Sequence, residues 1–114
     1  MSIAKNIFQG KIVEVYTKTY QTPKGTVDGV QVKWTGFNIL LVAGTKGFLA
    51  CPAIDVEACQ RYGVAAAIVE STPSNPIGVL ERFPNRKVTK INEKARALGI
   101  KEGMLVTDAF ALIA

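Results

Sequence analysis

The chain has 114 residues, 48% of them hydrophobic and 20% charged, with a formal net charge of +5 and no histidine. This composition excludes a disordered chain and is typical of one globular domain over residues 1–114, because such a chain can bury a core without cross-links. Without histidine, any acid–base chemistry falls to Cys, Asp, Glu, Lys or Tyr with a shifted pKa. Two cysteines without a CxxC pair indicate neither a disulfide framework nor a zinc site, so we expect no metal and no cofactor.

The N-terminal residues and the apolar runs predict the cellular location. The opening residues, MSIAKNIFQGK, lack the apolar segment and the cleavage site of a secretory signal. The longest apolar runs, Ile39–Ala43 and Val64–Val69, are much shorter than the roughly 20 residues that span a bilayer. We therefore expect a cytoplasmic protein that does not enter a membrane.

Residues 1–36 are predicted to form a long β-hairpin. Ile7–Tyr20 and Thr26–Thr35 are rich in β-branched and aromatic residues, and Thr22–Gly25 has the composition of a turn. The first strand carries apolar side chains on both faces, which predicts either a bulge near Glu14 or cover on both faces. Because so small a domain cannot easily bury two apolar faces of a long hairpin, we expect a homo-oligomer in which a partner subunit covers one face. Cover from the same chain is the alternative.

The centre of the chain, Asn38–Asp55, joins two apolar strands through a glycine turn. Ile39–Ala43 is a continuous apolar run, which is typical of an interior strand covered on both faces. The turn Gly44–Gly47 leads into a second strand, Phe48–Cys51. This stretch is predicted to be the structural centre of an α/β body that spans residues 37–114.

A β-helix-β connection is predicted next. Pro52 ends the strand, and Ala53–Tyr62 is predicted to be a helix that stops at Gly63. Val64–Val69 then has the apolar composition of an interior strand. A connection of this length allows that strand to lie parallel to a neighbour through a right-handed crossover.

The remaining residues are predicted to be mainly helical. Helices are expected over Pro76–Phe83 and Thr89–Leu98, and a last helix is expected after a cap at Thr107. The second of these should end at Gly99 and Ile100 in a Schellman motif. The predicted fold class is α+β: a long N-terminal β-hairpin that extends a sheet, with helices packed largely on one side.

Cys51 is the residue most suited to chemistry. Its predicted position, just before a helix N-terminus, would lower the pKa of the thiol. Asp55 lies one helical turn further on, and Asn38 and Lys46 could line the same region. We therefore predict a module that binds a small ligand, an anion included, through Asn38, Lys46, Cys51 and Asp55. The structural alternatives are a buried apolar thiol, an acid in the first helical turn that favours the helix dipole, and two turn or edge residues.

Two further functions are weighed as alternatives. The first is an enzyme that uses Cys51 as its nucleophile, with Asp55 as a second catalytic candidate. The second is a polyanion-binding module, because basic residues cluster between positions 82 and 96, and three of them would share a helical face if the helix began early. The cluster comprises Arg82, Arg86, Lys87, Lys90, Lys94 and Arg96. A solvated basic face is the favoured interpretation because no nucleic-acid motif is present, so we do not expect a nucleic-acid partner.

Several short motifs together resemble a known family. They are Asn38-Ile39-Leu40-Leu41-Val42, Lys46-Gly47-Phe48-Leu49-Ala50-Cys51, Ile54-Asp55, Ala66-Ala67-Ile68-Val69 and Leu98-Gly99-Ile100-Lys101-Glu102-Gly103-Met104. Over about residues 36–114 the sequence resembles the YunC-like domain of unknown function (domain of unknown function 1805), which is found in bacteria and archaea.

The resemblance implies an architecture and no activity. It implies an α/β body whose N-terminal β region forms a tetramer. Pro52 and Ala53 follow Cys51 where the family usually has Gly and an aromatic residue, and Val106–Phe110 replaces the usual Gly-Arg-Glu-Ala-Leu. The chain is therefore identified as a divergent member.

Overall fold

The computed structural model describes residues 4–114, which form one seven-stranded sheet with short helices. The strands are β1 (Lys5–Gln9), β2 (Val13–Thr22), β3 (Gly25–Trp34), β4 (Phe37–Ala43), β5 (Gly47–Ala50), β6 (Ala65–Val69) and β7 (Val88–Ile91). The α-helices are α1 (Val56–Arg61), α2 (Glu93–Ala97) and α3 (Val106–Ile113), and Leu80–Asn85 is a 3₁₀ helix. The spatial order of the strands follows the sequence, and all neighbours are antiparallel except β5 and β6, which are parallel as predicted.

The N-terminal hairpin is confirmed, with two differences. Thr22 pairs with Gly25, so the predicted turn is the two-residue connection between β2 and β3. The outgoing segment is two strands, because the chain reverses after Gly10, whose N–H donates to the carbonyl of Val13 at 2.8 Å. The bulge expected near Glu14 was placed wrongly, since the register shift lies on β1, between Asn6 and Phe8.

The two faces of the sheet are covered differently. The core face carries Val27, Leu40 and Val42, which pack with α3 and the 3₁₀ helix in the main core. On the opposite face, α1 covers only the β5–β6 end, through Val56 and Ala66. The outer face is the β2–β4 part of that face, where cross-strand pairing aligns half-buried aliphatic side chains at alternate positions. The outer face comprises Val15, Val30, Val32, Ile39 and Leu41.

The last third of the chain differs most from prediction. Residues 88–91 form β7 beside β6, so the helix expected from Thr89 begins only at Glu93, after the cap residue Asn92. Its predicted end is confirmed, because the N–H of Gly99 donates to Arg96 at 2.9 Å and that of Ile100 to Ala95 at 3.2 Å, the Schellman pattern. Strand pairing with β6 outweighs the helical periodicity of this segment.

The predicted α+β fold class is confirmed, with the long hairpin extending the sheet and the main core on one side. None of the helices within residues 4–114 has the length and hydrophobicity needed to cross a membrane.

Candidate functional site

A groove lies at the edge of the sheet where the two parallel strands end. Because β5 and β6 run in the same direction, the loops that follow them lie side by side, and the antiparallel β4 begins at the same edge. The groove has a volume of about 380 Å³. Its lining comes from these three places in the chain: Phe37, Asn38, Cys51, Pro52, Ala53, Ser71, Thr72 and Pro73.

Cys51 lines this groove while being only 6% exposed. Its N–H continues the sheet by donating to the carbonyl of Leu40 at 3.0 Å, and its carbonyl accepts from Ile54 in a turn. The helix was predicted to begin at Ala53, but α1 begins at Val56 and has six residues. The thiol is therefore not at a helix N-terminus, and the dipole argument for an activated thiolate does not apply.

Asp55 has a structural role in capping α1. Its carboxylate accepts hydrogen bonds from the N–H groups of Glu57 at 2.9 Å and Ala58 at 3.2 Å. These bonds satisfy two of the free donors at the start of the helix. Asp55 was expected within the first turn, but it lies just before the helix because α1 begins at Val56. Asp55 is not among the groove residues.

Lys46 lies away from Cys51, at the opposite end of β5. Its N–H donates to the carbonyl of Ile113 at 2.9 Å, so the β4–β5 turn packs against the end of α3. The structure thus brings Asn38 and Cys51 together in the groove and places Asp55 and Lys46 outside its lining.

Asn38 belongs to a polar network that fixes one wall of the groove. Its Nδ2 and the Nε2 of Gln31 both donate to the carbonyl of Gly78 at 3.0 Å, and Gln31 Nε2 also donates to Asn38 Oδ1 at 3.0 Å. Because a carbonyl can only accept, these bonds fix the orientation of both amides. Gln31 is 4% exposed, and sequence reasoning did not select it. Gln31 alternates with Val30 and Val32 as a surface residue of β3 would, so no local signal in the sequence distinguishes it.

Arg86 holds the loop that forms the second wall. It is 8% exposed, and it donates to the carbonyls of Asn75 at 2.8 Å and Pro76 at 2.7 Å, and to Asn75 Oδ1 at 3.3 Å. Within the same loop, Ser71 Oγ accepts from the N–H of Ile77 at 3.0 Å. The loop after β6 is thus pinned at several points, which gives the groove a defined shape.

The basic cluster at positions 82–96 does not form the helical face that was predicted for it. Arg86 is buried in the loop contacts just described, and the helical face expected for Lys87, Lys90 and Lys94 is absent because Lys90 lies in β7 and only Lys94 lies on α2. That helical interpretation was wrong, since residues 88–91 are a strand. Among residues 4–114, no group of three or more Cys, Asp or Glu side chains is close enough together to hold a metal ion.

Comparison with known proteins relates this fold to one family and one solved structure. The sequence model described as "Domain of unknown function (DUF1805)" matches residues 50–113, more than half of the chain. The fold is similar to the crystal structure of a protein of unknown function, TA1206 from Thermoplasma acidophilum. The two are 18% identical with a TM-score of 0.77, over 96% of this chain and 100% of that chain. No curated protein matches the sequence significantly.

Proposed function

Because this chain belongs to the DUF1805 family, whose description names no activity, we propose a function from the geometry of the groove at Cys51. The membership confirms the resemblance found in the sequence, and the narrower YunC-like assignment stays a prediction. We propose that the protein is a module that binds a small molecule in this groove.

The position of the groove supports the proposal. In sheets with parallel strands, ligands commonly occupy the crevice outside the carboxyl ends of those strands, because the loops there diverge while the strands hold them rigidly. The groove occupies the corresponding position at the carboxyl ends of β5 and β6. Its volume of about 380 Å³ lies within the range of about 300–1,000 Å³ that is typical of small-molecule sites.

The lining indicates the chemistry of the ligand. Phe37, Pro52 and Pro73 present apolar surface, whereas Asn38 and the hydroxyl groups of the loop after β6 provide a few polar contacts. None of the eight lining residues named above carries a charge. The groove therefore favours an uncharged, partly apolar ligand. The anionic ligand expected from the sequence depended on Lys46, which lies at the other end of β5.

The reactivity of Cys51 provides the test. In a Cys59→Ala background, iodoacetamide, itself small and uncharged, should modify Cys51 in the folded protein. Ala53→Trp fills the groove from an exposed position, and Ala97→Trp on α2 makes the same change at an exposed position away from it. We expect Ala53→Trp to slow the modification by about tenfold or more and Ala97→Trp to leave the rate unchanged.

The same measurement can identify ligands of the groove. Molecules from a panel of uncharged metabolites that slow modification of Cys51 should bind the parent protein and lose binding in Ala53→Trp. Equal modification rates in the two tryptophan variants, or protection that survives Ala53→Trp, would contradict a ligand site in this groove.

We also propose that the chain forms a homo-oligomer, a tetramer as the family resemblance implies, through the outer face. Cross-strand pairs align Val15, Val32 and Ile39 across three strands. At the end of these strands Trp34 and Phe37 pack edge to face, with ring centroids 5.4 Å apart, and Phe37 is half exposed. A contiguous apolar surface of this kind is a mark of protein association.

A further inference from the structure

A second concave site lies near the start of the chain, separate from the groove at Cys51. This depression, here called the polar depression, has a volume of about 210 Å³ and is lined by Ala4, Tyr16, Gln31, Lys33, Val79 and Glu81. It shares no lining residue with the groove. Four of its six lining residues carry polar or charged side chains, so its chemistry differs from that of the groove.

The buried amide of Gln31 presents a free acceptor to this site. Both hydrogen bonds of its side chain within the described chain are donated by Nε2, one to Gly78 and one to Asn38. Because the orientation of the amide is fixed, its Oε1 takes part in neither of these bonds. Gln31 lines the polar depression although the residue is only 4% exposed. No buried side-chain nitrogen or oxygen of the described residues lacks a partner, so Oε1 is open to the depression and can accept a hydrogen bond from a ligand there.

Tyr16 and Glu81 add further acceptors beside it. Tyr16 is the cross-strand partner of Gln31, and its O–H donates to Glu14 Oε2 at 2.8 Å. The Asn6 side chain hydrogen-bonds to the phenol oxygen, whose second lone pair remains to accept. The hydrogen bond to Glu14, together with burial, raises the pKa of Tyr16, so the phenol stays neutral. Glu81 accepts from the N–H of Ala4 at 2.7 Å, and this bond lowers the pKa of the carboxyl, which is therefore ionised near neutral pH.

Lys33 supplies a positive charge at the same site. It is exposed and lines the polar depression with Glu81, yet the two side chains form no ion pair with each other in the part of the chain that the structure describes. The three acceptors and the ammonium group of Lys33 line the same depression, which therefore offers complementary charges to a ligand that carries both.

We propose that the polar depression binds a small zwitterion of the amino-acid type. The ligand's ammonium group donates to Gln31 Oε1, Tyr16 Oη and the carboxylate of Glu81, and its carboxylate pairs with Lys33. The volume of about 210 Å³ is smaller than that of drug-sized sites, which limits the ligand to a short side chain. A ligand with only one of the two charges would pair with only one of the two side chains, Glu81 or Lys33.

Isothermal titration calorimetry with four probes tests this proposal on the full chain. Glycine and L-alanine carry both charges, whereas methylamine and acetate each carry one. We expect the two zwitterions to bind at least about tenfold more tightly than either single-charge probe. No detectable binding of glycine and L-alanine at millimolar concentration, or equal binding of methylamine, would overturn the proposal.

Charge-removing variants locate the site. Lys33→Met and Glu81→Gln should each weaken zwitterion binding by about tenfold or more, because each removes one pairing charge. Lys24→Met in the β2–β3 turn and Glu102→Gln before α3 remove the same charges from exposed positions outside the polar depression, and should bind as the parent does. Binding that falls equally in the control variants would overturn the assignment.

The zwitterion site and the groove can be tested separately. Ala53→Trp should leave zwitterion binding unchanged, because Ala53 lines only the groove. Loss of binding in that variant would place the zwitterion in the groove and overturn the polar depression as its site.

Discussion

At the scale of single residues, Asn92 connects three elements of the chain. It is 2% exposed, and its Nδ2 donates to the carbonyls of Val56 at 3.0 Å and Val64 at 2.9 Å. Its Oδ1 accepts from the N–H groups of Ala66 at 3.2 Å and Ala95 at 2.9 Å. The whole hydrogen-bonding capacity of the amide is used, which ties α1, β6 and α2 together.

Replacing Asn92 should be strongly destabilising. Asn92→Ala removes a helix cap and leaves buried backbone groups unpaired, so we expect the free energy of unfolding to fall by about 3 kcal/mol or more. Asn85→Ala, at the exposed end of the 3₁₀ helix, should change it by no more than about 0.5 kcal/mol. Urea denaturation of both variants measures the difference, and comparable losses would show that Asn92 has no special role.

At the scale of elements, the loop between β6 and the 3₁₀ helix depends on Arg86. The loop reverses through a bridge between Thr72 and Asn75, and the buried guanidinium donates to the backbone of Asn75 and Pro76. Because these bonds hold irregular backbone, the shape of the groove wall depends on one side chain from the end of the 3₁₀ helix.

Arg86→Met should loosen this loop. The charged hydrogen bonds are lost, so we expect about 2 kcal/mol of destabilisation and faster hydrogen exchange at the amides of Asn75 and Ile77. Arg82→Met, on the exposed side of the same 3₁₀ helix, should leave the exchange of both amides unchanged. Unchanged exchange in Arg86→Met would contradict the role of Arg86 in holding the wall.

At the scale of the whole molecule, the sheet is covered unevenly. The core face is packed by α3 and the 3₁₀ helix, with the rings of Tyr20 and Phe110 4.9 Å apart, whereas α1 reaches only the β5–β6 end of the other face. Helices this short cannot cover a seven-stranded sheet on both sides. The proposed homo-oligomer would bury the part of the outer face that they leave open.

Val32→Lys tests this assembly. A charge at the centre of an apolar interface is costly to bury, so we expect light scattering to give the monomer mass of 12.3 kDa for this variant and a multiple of it for the parent. Val64→Lys makes the same change at an exposed valine outside the outer face and should retain the assembly. A parent protein that is already monomeric, or a Val32→Lys variant that stays assembled, would contradict the proposal.

Local signals in the sequence determined the hairpin, the central strands and the C-terminal ends of α1 and α2. The turn Thr22–Gly25 predicted the two-residue connection, and Gly63 and Gly99 predicted where α1 and α2 stop. Both glycines have positive φ angles, of 76° and 97°, which residues with a Cβ rarely adopt. Signals of this kind act within a few residues, so they can be interpreted without knowledge of the fold.

Only the tertiary structure decided that residues 88–91 form a strand and which residues line the candidate site. Residues 88–91 form a strand because β6 offers a pairing edge, although their spacing also suits a helix. Lys46 and Cys51 are five positions apart in sequence yet lie at opposite ends of β5, whereas Asn38 and Ser71, distant in sequence, line one groove. The physical reason is that strand pairing and burial join segments that are far apart in the chain, and their energies outweigh local preference.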